Sequence, residues 1–171
     1  MNIFSFLNLT KKIRVSYIPG SSDDVLSFNT FAISIPHGQY YEHSDSNTRA
    51  TATMIYPNGT SIEFTASTWR GTYPQFDECL IDIMQETGWL LLGSRQVSET
   101  KNIHEFALKN NPSTGSILLA TVAIKDLYEN AKDPSFLSVQ IDTDGAVVKD
   151  QAALKIDANT LADNILASLP T

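Results

Sequence analysis

The stretch from Phe31 to Leu92 constrains the fold more than any other part of the chain. It contains three runs in which apolar residues alternate with small or polar ones, as in half-buried β-strands: Phe31–Pro36, Arg49–Tyr56 and Thr60–Trp69. The turn-forming sequence Pro57-Asn58-Gly59 separates the last two runs and predicts a β-hairpin. Because hairpin-linked strands pair antiparallel, this part of the chain predicts an antiparallel sheet.

A helix is predicted directly after the hairpin. Thr72 and Gln75 are spaced as in a capping box, and Pro74 suits the first turn of a helix. Gly88 is suited to the C-terminal cap. The apolar stripe at helical spacing consists of Phe76, Leu80, Ile83, Met84 and Thr87.

The rest of the chain adds strands and a closing helix. Further strands are predicted at Ile13–Pro19, at Phe28–Pro36 with an extension through Gln39–His43, at Trp89–Val97 as a buried strand, at Ile103–Leu108, at Ile117–Ile124 and at Phe136–Ile141. The closing helix is predicted to begin at Ala158 or Asn159 and to end at Leu169. These elements predict an α+β fold in which the mid-chain and C-terminal helices pack on an antiparallel sheet of about six to seven strands with a central hairpin.

A chain of 171 residues with no evident linker is expected to form one domain, residues 1–171, with residues 1–12 as a loosely attached segment. Its N-terminal apolar run is short and is followed, not preceded, by Lys11 and Lys12, which is unlike a signal peptide. No run approaches the roughly 18 apolar residues of a membrane-spanning helix. The prediction is a cytoplasmic protein without a membrane partner.

The formal net charge is −7, and the longest basic run is Lys11-Lys12. Nucleic-acid binding requires clustered basic residues, so the charge argues against that class. An acidic surface favours association with a basic protein partner, and it is equally explained as a solvating surface. Cys79 is the single cysteine, which excludes an internal disulfide.

His37, Glu42 and His43 are the weak candidates for a metal site. His37 and His43 are six residues apart, so a continuous strand would place both on one face. The sequence contains no His-x-His pair or zinc-protease motif, and a polar strand end explains the residues as well. No metal ligand or cofactor is therefore assigned.

Two further patterns bear on catalysis. His104 and Glu105 are adjacent on a predicted strand, so their side chains point to opposite faces and do not form an acid–base pair. No serine is marked by a nucleophile-elbow motif, although a Ser-His-Asp triad can assemble from distant positions. No catalytic residue is assigned.

Aromatic and acidic residues provide candidates for partner binding. Tyr and Trp at strand ends can anchor a protein interface, and they can equally pack at the rim of a sheet. Asp82 and Glu86 are one helical turn apart and repel each other, a cost that a basic partner would relieve. The predicted partner-binding residues are Trp69, Arg70, Tyr73, Tyr40, Tyr41, Asp82 and Glu86. Asp77 and Glu78 are explained by the helix dipole.

The order of elements resembles the PsbP-like fold, a group with the extrinsic photosystem subunit, the Ran-binding protein Mog and bacterial DcrB-type domains. Phe31–Gly38 is similar to the family's opening strand, with Gln39-Tyr40 where a Trp is usual, and Leu161–Leu169 is similar to its last helix. The resemblance implies a protein-binding role and transfers no functional residue, since the family has no shared catalytic motif.

The sequence therefore predicts a non-enzymatic protein-binding module. It would be an acidic immunity-type inhibitor of a toxin, or an adaptor or chaperone for a secreted effector, with a basic toxin or the effector as partner. One alternative is a metal-dependent or other hydrolase with a site near His37, Glu42 and His43. A second alternative is a structural subunit of a larger assembly.

Overall fold

The computed structural model describes residues 12–42, 46–57, 59–110, 116–125, 127, 131–143 and 151–169. The strands are β1 (Val15–Ile18), β2 (Asp24–Phe28), β3 (Ala32–Ile35), β4 (Gln39–Glu42), β5 (Arg49–Ile55), β6 (Ser61–Thr68), β7 (Trp89–Ser98), β8 (Lys101–Leu108), β9 (Ser116–Ile124) and β10 (Ser135–Asp142). The helices are α1 (Tyr73–Glu86) and α2 (Gln151–Ser168). The predicted α+β class is thereby confirmed.

The strands form two antiparallel sheets. The small sheet has the order β1-β2-β3, and the large sheet has the order β4-β5-β6-β10-β9-β8-β7. The predicted hairpin joins β5 to β6, with Ile55 opposite Ser61. The last strand, β10, inserts between β6 and β9. It therefore joins the half of the large sheet formed by β4 to β6 to the half formed by β7 to β9.

The two faces of the large sheet are covered differently. On one face, the small sheet and α2 enclose the main core, which includes Phe64, Met54 and Leu137 from the sheet and Ile165 from α2. On the other face, α1 packs over β7 to β9 and over the end of β10, in two smaller apolar clusters. The strands β4, β5 and β6 have no described helix or sheet above them on this second face. This unequal coverage positions the site described below.

Helix α1 begins and ends where the sequence predicts. The backbone N–H of Thr72 donates to Gln75 Oε1 at 3.0 Å, and the positive φ of Gly88, +99°, terminates the helix. Phe76 and Met84 are buried as the apolar stripe predicts. Ile83 differs, because it is 48% exposed at the edge of the helix that overlooks the uncovered strands.

Two basic side chains of the large sheet bind helix α2, on the face opposite α1. Lys101 Nζ donates to the carbonyl of Leu166 at 3.1 Å, a contact typical of basic residues at helix C-termini. Arg95 forms an ion pair with Asp163 at 2.7 Å. Among the described residues, no helix is both long enough and apolar enough to cross a lipid bilayer.

Several sequence predictions require correction. Trp89–Val97 is an exposed edge strand, not a buried one, because β8 pairs with only one side of it. Asp24, predicted to end a loop, begins the extra strand β2, and α2 begins at Gln151, ahead of the predicted Ala158. Residues 1–11, predicted to be loosely attached, lie outside the described residues.

Candidate functional site

A groove lies between α1 and the uncovered part of the large sheet. Its volume is about 300 Å³. The helix contributes an apolar wall, and the strands contribute a polar floor. The wall consists of Phe76, Leu80, Ile83 and Met84, and the floor includes Arg49, Glu63, Thr65, Ser67, Ser138 and Gln140. We call this surface, from the groove across β6, β5 and β4, the open face.

Exposed apolar side chains extend the open face beyond the groove. Tyr41 pairs with Thr53 across the β4–β5 ladder, and Thr53 pairs with Glu63 of the groove, so all three point to the same side. By the same ladder, Ile55 also lies on this side. Tyr41, Ile55 and Ile83 are exposed by 43%, 40% and 48%. Three large apolar side chains thus surround a polar floor, a combination typical of a binding surface.

The floor is internally hydrogen-bonded. Thr51 Oγ1 and Thr65 Oγ1 lie 3.2 Å apart on neighbouring strands and are both buried. Cross-strand threonine pairs of this kind contribute to the stability of a sheet. The two strands of the floor are therefore joined by a side-chain hydrogen bond as well as by their backbone ladder.

A second polar cluster lies at the other flank of α1, around Asp77. Asp77 Oδ1 accepts hydrogen bonds from His104 Nε2, at 2.7 Å, and from the hydroxyl of Thr121. Asp77 Oδ2 accepts from Asn102 Nδ2 at 2.7 Å. The second ring nitrogen of His104, Nδ1, lies 2.8 Å from Ser94 Oγ. Asp77 and His104 are 7% and 2% exposed, respectively, so they are buried, whereas Asn102 is partly exposed and Ser94 is exposed.

The cluster keeps Asp77 ionised. Burial raises the pKa of Asp77, but the hydrogen bonds from His104, Thr121 and Asn102 outweigh burial and hold the pKa below its usual value. Nearby, Tyr73 donates its hydroxyl hydrogen to the carbonyl of Thr121 at 3.1 Å. Burial raises the pKa of Tyr73 to about 12, so this donor stays protonated.

A third cluster, around Asp24, connects the small sheet to the segment before β4. Asp24 is 1% exposed and accepts from the hydroxyl of Tyr17 at 2.9 Å, while His37 Nδ1 lies 2.7 Å from its other oxygen. Burial raises the pKa of Asp24, but the hydrogen bonds from Tyr17, Gly20, His37 and Gly38 outweigh burial and hold the pKa below its usual value. Tyr17 also stacks on Tyr40 with the ring centroids 4.7 Å apart.

The predicted metal candidates are only partly covered by the structure. His37 is half-exposed and bound to Asp24, whereas the Glu42 side chain and His43 lie outside the described residues. Among the residues that are described, no group of three or more His, Cys, Asp or Glu side chains could hold a metal ion. The metal-dependent hydrolase stays a prediction without a described ligand set.

The structure separates the predicted partner-binding residues into three groups. Tyr41 lies on the open face, and Asp82 and Glu86 lie on the exposed surface of α1 beside Ile83. Trp69 packs edge-on against Phe76 and Phe136 at the start of α1, and Arg70 forms an exposed ion pair with Asp133. The third group lies outside the open face. Tyr40 stacks on Tyr17 and packs against the main core, and Tyr73 is buried under α1.

The sequence interpretation missed the Asp77 cluster. Asp77 was explained by the helix dipole, but it lies in the second turn and points at β8 and β9. Alternation along β8 does put Asn102, His104 and Phe106 on one face, which is the signal that could have placed His104 under the helix. The pairing of His104 with Ser94 depends on an irregularity in β7 between Leu91 and Gly93, which no sequence pattern predicts.

A comparison with protein families, with curated proteins and with solved structures finds no match to this chain.

Proposed function

We propose that this chain is a protein-binding module and that the open face is its binding surface. The observation that carries the proposal is the groove between α1 and the bare strands, with exposed Tyr41, Ile55 and Ile83 around it. Its volume of about 300 Å³ is at the lower end of small-molecule sites, roughly 300–1,000 Å³, so it fits a few side chains of a partner.

The charges near the groove favour a basic partner. Glu63 lies in the floor, and Asp82 and Glu86 lie on the adjoining helix surface, against the single described cation of the groove, Arg49. Together with a net charge of −7, they steer a basic protein toward this surface. The partner is accordingly a basic segment with an apolar side chain that enters the groove beside Ile83.

Two biological roles fit such a partner. An immunity-type inhibitor would cover a basic toxin, and an adaptor or chaperone would hold a basic segment of a secreted effector. Both roles require a stoichiometric complex with a different protein. A structural subunit would instead associate with copies of itself or with a fixed assembly.

The experiment is capture of a partner from the cell that encodes the chain, with tagged wild type and two matched variants. Ile83→Lys places a charge at the groove, whereas Ile18→Lys places the same charge on the small sheet at a residue that is 54% exposed. Capture is compared at about 0.1 M and about 1 M salt, between which the Debye length falls from about 10 Å to about 3 Å.

We expect the wild type to capture one basic protein in stoichiometric amount, and less of it at high salt. The Ile83→Lys variant should lose this binding, and the Ile18→Lys variant should retain it. Equal capture by the two variants would place binding elsewhere on the molecule. A wild-type chain that binds only itself would support the structural-subunit role and contradict the proposal.

A further inference from the structure

Ser94 is the exposed end of a hydrogen-bonded series that begins at a buried carboxylate. Ser94 Oγ lies 2.8 Å from His104 Nδ1, and His104 Nε2 lies 2.7 Å from Asp77 Oδ1. Ser94 is exposed on the edge strand β7, whereas His104 is buried beneath α1. An exposed hydroxyl, a buried imidazole and a buried carboxylate, in this order, form the arrangement that activates a serine nucleophile.

The donor and the acceptor of each hydrogen bond in this series follow from the charge of Asp77. An ionised carboxylate only accepts hydrogen bonds, so His104 carries its hydrogen on Nε2 and donates it to Asp77. In this tautomer Nδ1 carries no hydrogen and is an acceptor, so the Ser94 hydroxyl is positioned to donate to it. His104 is therefore positioned to remove the Ser94 proton.

We propose that Ser94 is a nucleophile for acyl transfer, with His104 as its general base and Asp77 as the positioning residue. The two ring nitrogens exchange the places that they have in serine proteases, where Nε2 faces the serine, but the path of the proton is equivalent. This inference opposes the expectation of a non-enzymatic chain and is independent of binding at the open face, which lies across α1 from Ser94.

The reaction is a two-step ester hydrolysis. Ser94 Oγ bonds to the carbonyl carbon of the ester while its proton passes to His104 Nδ1. The carbon–oxygen bond to the alcohol breaks, the alcohol takes the proton from Nδ1, and an acyl ester of Ser94 remains. Water then attacks this ester with the same base, which releases the carboxylic acid and restores the serine.

The position of Ser94 defines the substrate class. The residue lies on the outermost strand of the sheet and is exposed, so a substrate approaches from solvent. The paired side chain, His104, is only 2% exposed, so the serine hydroxyl is the accessible group of the pair. The site accordingly suits small, activated acyl esters.

The chain offers a matched control for the test. Ser98 is exposed on the same strand, and its hydroxyl oxygen accepts a hydrogen bond from the backbone N–H of Thr100 at 3.3 Å. Neither of the two described histidines is hydrogen-bonded to it. Wild type, Ser94→Ala and Ser98→Ala are treated with a fluorophosphonate probe and, separately, with p-nitrophenyl acetate. Peptide mass spectrometry then locates the adduct, and the release of p-nitrophenol gives the rate.

Because general-base catalysis contributes roughly 10²–10⁴-fold, we expect Ser94 to be labelled at least about 100-fold faster than Ser98. Ser94→Ala should lose the adduct, and Ser98→Ala should retain it. Equal labelling of the two serines, or no labelling of either, would overturn the proposal and leave the cluster as an anchor for α1.

A second measurement tests the base without removing a buried side chain. Two-bond ¹H–¹⁵N NMR spectra report which nitrogen of His104 carries the hydrogen. The proposal requires it on Nε2 and a bare Nδ1. A hydrogen on Nδ1 would exclude His104 as the base for Ser94 and would overturn the proposal.

Discussion

His104 Nε2 lies 2.7 Å from Asp77 Oδ1, and this contact fixes α1 to β8 through side chains that are almost wholly buried. The helix covers one half of its sheet face, where this polar cluster and two apolar clusters hold it. Among the described residues, no other element covers β4, β5 and β6 on this side, and that leaves the open face. The buried cluster and the proposed binding surface are thus two consequences of one packing arrangement.

Loss of the Asp77 carboxylate should destabilise the fold. Asp77→Ala leaves the buried donors of His104, Asn102 and Thr121 without their acceptor. We expect the free energy of unfolding, measured by urea denaturation, to fall by roughly 3 kcal/mol. The control Asp82→Ala, on the exposed side of the same helix, should change it by about 0.5 kcal/mol or less. Similar effects of the two substitutions would contradict the burial of the cluster.

The contribution of Asp77 should depend on pH in a defined direction. The pKa of Asp77 is lower in the folded protein than the value of about 3.9 expected when unfolded. Its ionisation therefore stabilises the fold above about pH 4, and this part is lost as the pH falls through the folded pKa. The difference in unfolding free energy between wild type and Asp77→Asn should shrink below about pH 4. A difference that stays constant from neutral pH to pH 3 would contradict the prediction.

Phe136 should be the most sensitive apolar residue under the start of α1. It is 1% exposed and stacks on Phe76 with the ring centroids 4.4 Å apart. Phe136→Ala should lower the free energy of unfolding by roughly 3–5 kcal/mol, because it leaves a cavity. Ile55→Ala on the open face should cost at most about 1 kcal/mol, since that side chain is 40% exposed. Thermal or urea denaturation of both variants checks this order.

The end of α1 depends on the backbone of Gly88. Its φ of +99° is strained for any residue with a Cβ atom, although an added Cβ would meet nothing within 4 Å. Gly88→Ala should therefore destabilise the protein by about 1 kcal/mol through backbone strain alone. Gly93→Ala is the matched control, because its Cβ would also have open space. Equal unfolding midpoints for the two variants would show that backbone strain at position 88 does not lower the stability of the protein.

Local signals in the sequence were sufficient to predict much of the fold. The alternation in Arg49–Ile55 and Ser61–Thr68 predicted the central hairpin, and Thr72 and Gly88 marked both ends of α1. These features depend on neighbours in the chain. The small sheet is not predicted as a separate sheet. The strands predicted at Ile13–Pro19 and Phe28–Pro36 cover β1 and β3, but no strand is predicted over residues 25–27 of β2, which is only five residues long.

The candidate site depended on contacts that the sequence does not encode locally. Ser94, His104 and Asp77 come from two strands and a helix, and they meet only because α1 crosses back over the sheet. The exposure of β7 follows from its place at the sheet edge, where it pairs with β8 alone among the described strands. Tyr41 is predicted as a binding residue from its type and its place at a strand end, whereas its position on the open face follows from the β4–β5 register.

The open face is tested most directly by site-specific photocrosslinking in the cell that encodes the chain. A photoreactive phenylalanine is placed at Ile83, beside the groove, and at Ile18 on the small sheet, two residues of similar exposure, 48% and 54%. We expect a crosslink to one basic protein from position 83 and none to that protein from position 18. Crosslinks of equal yield from both positions, or from position 18 alone, would contradict it.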